Sequence, residues 1–357
     1  MCAHLKVYLP TPIYFAEMSL MQAQEAARNA LECVLEAVSG ERIVIICDDE
    51  KEKVGEAFSD GALGLGLWTR LIILETGKNF RKDVPRHLLE VLSGQKPELF
   101  INLLRGVGQE TPFRIKLIHL ETRDKRSRLG HCPGVNLNML TEGALALTVE
   151  EHRKMQDYSR TLMRNLDKTV KVEVTSPSGT ELSFSTEGRQ FFTDTFVDWE
   201  KMKWMNLPTG EVIVAPVENS LEGILACDMA VGGVGALKNL VKLTVENGLV
   251  KNVTSQDKAV LKQVKTALDT DEWAKIVGEF AFGVNPKAKS LENFLETEKI
   301  SETVHIAFGN NTDMPGGKNP SRNHMDFLIS RPVVKITRDD GETTTILRGG
   351  KFQLSTH

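Results

Sequence analysis

A chain of 357 residues is long enough for two domains, each with a core of its own. Hydrophobic residues at 41% and charged residues at 26% lie in the ordinary globular range, and 44 basic against 48 acidic residues leave a net charge of only −4. That composition excludes a disordered chain and gives no electrostatic reason to expect nucleic acid or an anionic membrane as partner.

The five cysteines (Cys2, Cys33, Cys47, Cys132, Cys227) are odd in number and form no C-x-x-C pair. Neither a disulfide framework nor a cysteine zinc site is expected. No apolar run approaches the length of a membrane span, and the opening "MCAHLKVYLPTPIY" lacks the charged-then-apolar order of a signal peptide. The expected location is a reducing cytoplasm.

From about residue 20 to 120, helical and extended patterns alternate. "MQAQEAARNALECVLEAVSG" carries apolar residues at helical spacing and stops at Gly40; "ERIVIICDD" is a buried strand. "KEKVGEAFSDGALGLGL" returns to helix, "TRLIILET" to strand, "VPRHLLEVLSGQ" to helix and "ELFINLLRG" to strand, and "RIKLIHLET" closes the series. Apolar strands separated by amphipathic helices predict a parallel sheet covered on both faces, an α/β domain over residues 1–165. The turn after "IVIIC" is Asp48-Asp49-Glu50, so a phosphate would meet carboxylates there, and "GGVGAL" (Gly232 to Leu237) has the wrong spacing for a dinucleotide turn. A nucleotide site is not expected. The basic run Arg123 to Arg128 reads as a solvated loop, and His131-Cys132-Pro133-Gly134 as a turn.

"LTVEEHRKMQDYSRTLMRNLDKT" (Leu147 to Thr169) reads as one long helix joining the halves. Beyond it, "VKVEVTSPSGTELSFSTEGR" has strand alternation around a Ser-Pro-Ser-Gly turn, a predicted β-hairpin. "EVIVAPV", "GILACDMAV", "LVKLTVENGLVKNVTS", "HIAFG", "HMDFLIS" and "VVKITRDDGETTTILRGGKF" are further strands, interrupted by helices at Lys258 to Leu268 and Asp271 to Gly278. Residues 166–357 are thus expected to form a β-rich α+β domain. Trp199 and Trp204 read as core residues, with the lining of a cleft as the alternative.

Two of the eight histidines flank a Gly/Pro/Asn-rich loop in "HIAFGNNTDMPGGKNPSRNHMDF". A strand over "NHMDFLI" puts His324 and Asp326 on one face, where a single ion can bind both. His305 opens another strand, so the three can meet at neighbouring strand ends. Glu211 opens an apolar strand after "NLPTG", and Glu279 is enclosed in "KIVGEFAFGVNP", where a carboxylate is costly unless paired or bound to metal. Taken singly, a strand-edge glutamate and a core histidine are the ordinary readings of Glu211 and His305, whereas for Glu279 a paired buried acid and a metal ligand weigh equally. Only His324 with Asp326 favours metal by itself.

Taken in order, "NLPTGEV", "GEFAFGVNP", "HIAFG" and "GGKNPSRNHMDF" resemble the M29 family of metallo-aminopeptidases, the aminopeptidase T type; "HCPGVNLNML" and "VTSPSGTELSF" extend the likeness upstream. The resemblance implies paired-metal ligands at Glu211, Glu279, His305, His324 and Asp326, with Glu211 or Glu279 as general base. It also implies a pair of divalent ions (Zn, Co or Mn), a peptide or small amide as substrate, and a homodimer. The family's tyrosine, seven residues after the first histidine, is Thr312 here, and the loop between the histidines is short. The second half is also similar to ring-cleaving dihydroxypyridine dioxygenases, in which His305, His324 and Asp326 would hold one Fe(II). A third expectation is a non-catalytic binding protein that keeps the fold.

Overall fold

The computed structural model describes residues 12–94 and 97–355. The chain divides into two compact units, residues 1–148 and 149–357.

In the first unit the elements follow in order: α1 (Pro12–Cys33), β1 (Arg42–Asp48), α2 (Glu52–Gly64), β2 (Trp68–Leu74), α3 (Arg86–Gly94), β3 (Leu99–Leu103), α4 (Thr111–Glu121), β4 (Arg128–His131) and α5 (Leu137–Thr141). The strands run parallel in the order β2-β1-β3-β4. Ile43, Val44, Ile45, Ile46 and Cys47 of β1 are all buried, as a strand covered on both faces requires. Helices α1 and α2 meet closely at Gly61, where a Cβ would lie 2.7 Å from the backbone nitrogen of Arg28.

One local expectation is corrected in this unit: the basic run is not a solvated loop throughout. "RIKLIHLET" lies mostly in helix α4, and the end of the basic run becomes strand β4. Arg128 is drawn out of solvent because its guanidinium pairs with Glu41 and donates to the carbonyls of Leu35 and Glu36.

The carboxyl end of β1 is closed by ion pairs. Asp48 is fully buried, pairs with Arg81 at 2.6 Å and accepts a 2.6 Å hydrogen bond from the Arg105 backbone. Glu110 pairs with both Arg81 (2.8 Å) and Arg105 (2.5 Å). Strands β2 and β3 flank β1, which makes the β1/β3 end the crevice where open parallel sheets hold ligands. Here the paired charges of Asp48, Arg81, Arg105 and Glu110 stand at that end.

The second unit opens with α6 (Val149–Asn165). It continues through β5 (Thr169–Thr175), β6 (Glu181–Ser185), β7 (Phe192–Thr193), β8 (Trp204–Asn206), β9 (Glu211–Val214), β10 (Glu222–Cys227), β11 (Ala230–Val231) and β12 (Gly235–Ala236). Then come β13 (Val241–Glu246), β14 (Leu249–Ser255), α7 (Lys258–Leu268), β15 (Val277–Gly283), α8 (Phe294–Thr297) and β16 (Val304–Gly309). Strands β17 (His324–Ile329), β18 (Val333–Arg338), β19 (Thr343–Arg348) and β20 (Lys351–Phe352) complete it.

One sheet has the order β14-β13-β10-β6-β5-β18-β19-β20 and the other β12-β11-β17-β16-β15-β9-β7. The hairpin expected around Ser-Pro-Ser-Gly is β5–β6, and Asn247-Gly248, both at positive φ, make the tight turn between β13 and β14. The sheets meet through aromatic rings: Phe184 of β6 lies 5.1 Å from Phe280 of β15, and Phe282 lies 5.8 Å from Phe352 of β20. Trp199 and Trp204 are half-buried.

The helix expected over Asp271 to Gly278 does not form. Asp271 instead accepts hydrogen bonds from the Trp273 backbone, the Ser321 hydroxyl and the Arg322 backbone, and the chain turns into β15 at Val277. The period-two alternation of Phe280 and Phe282 with Glu279 and Ala281 prevails over the short helical pattern.

Candidate metal centre

Four adjacent strands of the seven-stranded sheet, β17-β16-β15-β9, bring together the five side chains singled out in the sequence. Their registers put all five on one face. Glu211 is paired with Gly283, His305 with Ala281, Glu279 and Asp326 both with Ala307, and His324 with Gly309. Directly opposed residues share a face, and residues two apart on a strand share it too. Every candidate ligand therefore has alanine or glycine as a cross-strand neighbour on one side, with His305 also facing Leu328 across β17, and this leaves room between strands for converging polar groups. The opposite face carries Phe280, Phe282, Ile306, Phe308 and Phe327, all fully buried. Gly309 adds a backbone constraint: its φ is +114°, and a Cβ there would lie 2.0 Å from the Asn323 carbonyl.

Glu279 stands at the centre. Its Oε1 is 3.3 Å from His305 Nε2 and its Oε2 is 3.1 Å from His324 Nε2. His305 Nε2 also lies 3.4 Å from Glu211 Oε1, and His324 Nε2 lies 3.3 Å from Asp326 Oδ1. Two triads result, Glu211–Glu279–His305 and Glu279–His324–Asp326, each with ligand atoms within 4.8 Å of one another. His324 Nδ1 donates to the Asn310 carbonyl at 2.8 Å, which turns Nε2 toward the carboxylates. Glu211 Oε1 is buried and accepts no hydrogen bond. A buried carboxylate oxygen without a donor is what a cation satisfies, and two imidazoles with three carboxylates are hard or borderline donors that suit Zn, Co or Mn.

Three further charged groups, not apparent from sequence patterning, complete the site. The ammonium of Lys299 is buried and bonds Glu211 Oε2, lies 2.8 Å from Glu298 Oε1 and sits 3.7 Å from Asp194 Oδ2. Asp194 in turn accepts from the backbone of Gly210 (2.9 Å) and Glu211 (2.7 Å), fixing the start of β9. "LETEKI" reads as a solvated charged segment, so Glu298 and Lys299 give no local signal. Asp194 lies outside every motif.

Burial pushes the Glu211, Glu298 and Asp194 carboxyls up, against the pull of Lys299. Burial also opposes ionisation of Glu279, but hydrogen bonds from His305 and His324 prevail and hold it below the usual carboxylate range. Burial disfavours a charged His305, yet Glu279 and Glu211 raise it to about 9. Asp326 and Glu279 overcome the same penalty at His324 and hold it well above its ordinary value.

The loop between β16 and β17 is tied at both ends. Glu218 accepts from the Lys318 backbone (2.8 Å) and Asn311 Nδ2 (3.3 Å), and Asn319 Nδ2 donates to the carbonyls of Gly309 (2.6 Å) and Trp273 (3.0 Å). Thr312, at the family's tyrosine position, is exposed, with its hydroxyl 3.0 Å from Asn310 Oδ1. The phenol of Tyr158 does not take its place. Its ring packs edge-on against Phe352, which in turn contacts Phe282 on the face of β15 opposite Glu279.

This chain is similar in sequence to aminopeptidase T of Thermus aquaticus, 31% identical over 167 residues that make up 42% of this chain and 40% of that protein. Aminopeptidase T of Thermus thermophilus is 30% identical over 165 residues, 41% of this chain and 40% of that protein. The chain thus spans 40% of the length of the curated relatives it matches. Among solved structures, wild-type AmpT from Thermus thermophilus is similar with a TM-score of 0.72 at 17% identity, covering 93% of this chain and 99% of that one. 2,5-Dihydroxypyridine dioxygenase from Pseudomonas putida is similar with a TM-score of 0.68 at 13% identity, covering 94% and 97%. Identities this low carry the fold alone. The family model described as thermophilic metalloprotease (M29) matches residues 145–352, more than half of the chain and every strand that bears a candidate ligand. The chain belongs to that family, M29.

Proposed function

We propose that this protein is a metal-dependent aminopeptidase that releases N-terminal residues from peptides at a dinuclear centre. One observation carries the reading: two ligand triads share Glu279 between them. Glu211, Glu279 and His305 would hold one divalent cation, and Glu279, His324 and Asp326 the other. Bound there, Zn, Co or Mn supplies Lewis acidity toward a peptide carbonyl and acidifies the attacking water.

The chain's own groups do the rest. Glu279 uses both oxygens to fix the spacing of the two positions, and the Asn310 carbonyl fixes the His324 ring. Glu211 or Glu279, the two buried glutamates that face these positions, would carry a proton from water to the leaving amine. The working form in this proposal is a homodimer in a reducing cytoplasm; none of the four described cysteines is in a disulfide, and no helix among the described residues is long and apolar enough to cross a membrane.

A second reading has its own support: Asp326 Oδ1 lies 3.9 Å from His305 Nε2 and 3.3 Å from His324 Nε2, the residue types of a two-histidine, one-carboxylate triad for Fe(II). It leaves Glu211 and Glu279 facing the same site without a task. The test is metal content of protein purified without chelator, paired with amino-acid release from unblocked peptides under Zn, Co and Mn loading. A metal-free protein inactive under all three sinks the aminopeptidase, and O₂ consumption with a dihydroxylated aromatic ring under Fe(II) replaces it with the oxygenase.

A further inference from the structure

We infer that Lys299 makes the two cation positions unequal, so that the Glu279–His324–Asp326 position fills first and the Glu211–Glu279–His305 position second. This deepens the two-cation reading and rests on it.

The argument begins with where the ammonium is held. Lys299 has 3% of its side chain exposed, and its three donors face Glu211 Oε2, Glu298 Oε1 and Asp194 Oδ2. Its backbone carbonyl accepts from the Asn285 N–H at 3.0 Å, so the chain is fixed as well as the head group. Such a lysine does not swing aside when a cation enters. It neutralises Glu211 and occupies Oε2, leaving Oε1 as the one oxygen that glutamate can offer an ion. A fixed positive charge one carboxylate away from a divalent cation opposes its binding. Among the described residues no such cation pairs with Asp326, whose ion-pair contacts in the site are with His324 and His305.

A second asymmetry points the same way and does not involve Lys299. A ligating imidazole binds more firmly when its other ring nitrogen is anchored. His324 Nδ1 is anchored by the Asn310 carbonyl, whereas His305 Nδ1 is buried with no hydrogen-bond partner. Charge and anchoring thus both favour the position built on His324.

The experiment is calorimetric titration of the metal-free, full-length protein with Zn, repeated with Co(II) under an absorbance readout. Two steps are expected, separated by roughly tenfold or more. Asp326→Asn should abolish the tighter step and Glu211→Gln the weaker one. Lys299→Met should tighten the weaker step by roughly tenfold or more while the tighter step moves little, and Lys299→Arg, which keeps the charge, should preserve the wild-type separation. Two equal steps in the wild type overturn the inference and leave the dinuclear reading standing. So does loss of the weaker step in Asp326→Asn, a measurement that holds even if Lys299→Met fails to fold. A weaker step unchanged in folded Lys299→Met also overturns it. Absence of any ion from the wild type removes the dinuclear reading and this inference together.

Discussion

Ala307 gives the most direct test of how the sheet makes room for the site. It is fully buried on β16 and stands opposite both Glu279 and Asp326, between the two strands that carry them. Opposed residues on neighbouring antiparallel strands keep their Cβ atoms about 4.5–5.5 Å apart. In Ala307→Val, each added methyl projects one carbon–carbon bond, about 1.5 Å, from that Cβ. What remains on either side is near or below the ~3.5–4.0 Å that a methyl needs from its neighbours. The sheet should still form, because valine favours strands, and overpacking should cost about 1–3 kcal/mol. The carboxylates, however, lose the lane through which they converge, and affinity for at least one ion should fall by roughly a hundredfold. The neighbouring change Ile306→Val, on the opposite face, is the control: a cost of about 0.5–1.5 kcal/mol and both ions retained. Thermal unfolding and metal content by mass spectrometry report the two effects separately. If Ala307→Val binds two ions with parental affinity, the small-residue lane is not what admits the ligands.

The shared carboxylate predicts a distinctive pattern of loss. Glu279→Ala should leave no tightly bound ion and His324→Ala should leave one, as read by metal content after dialysis. Saturating metal should stabilise the whole second unit, by about 2.7 kcal/mol at a hundred times the dissociation constant, so chelation should lower the melting temperature and metal excess should restore it. In the first unit, burial opposes ionisation of Glu110, but Arg105 and Arg81 prevail and hold it down to about 2. A depressed carboxylate contributes its stability above the unfolded pKa of about 4.5 and loses it as pH falls through the folded value. Glu110→Gln should therefore cost about 3 kcal/mol at pH 7, with the gap to the wild type narrowing between pH 4.5 and 2. Hydrogen exchange of β1 and β3 measures this, and a gap independent of pH would assign the cost to packing instead of charge.

How much of this was legible in the sequence depends on whether the cause was local. Strand periodicity is local, so His324 and Asp326 could be put on one face from "HMDF" alone, and β1 and β3 from their apolar runs. Strand ends also let His305 meet them, but gathering Glu211 and Glu279 into one ligand set needed the family resemblance, because a sheet order of β17-β16-β15-β9 is not written in any one segment. The helix expected at Asp271 failed for the same reason: Ser321 and Arg322, some fifty residues on, take up its carboxylate. Strand β4 was hidden because Arg128 looks solvated until Glu41 and two helix-end carbonyls are brought to it. Lys299, Glu298 and Asp194 come from segments whose polarity suits a surface loop; only the tertiary fold turns them inward.

The charges themselves are the strongest physical reason to read the site as one built for cations. With both imidazoles neutral, as metal ligation requires, Asp194, Glu211, Glu279, Glu298 and Asp326 converge on Lys299, the only permanently charged cation paired with them among the described residues, a formal charge of −4. Like charges this close are destabilising, and a sheet chosen for stability alone would do better with apolar side chains at these positions. Two divalent ions cancel that charge, whereas one Fe(II) leaves half of it. The alternation in "GEFAFG", "HIAFG" and "HMDF" makes the same point in sequence. Phenylalanines build the core on one face, while acids and imidazoles alternate with alanine and glycine on the other, a departure from core packing of the kind expected at a functional site.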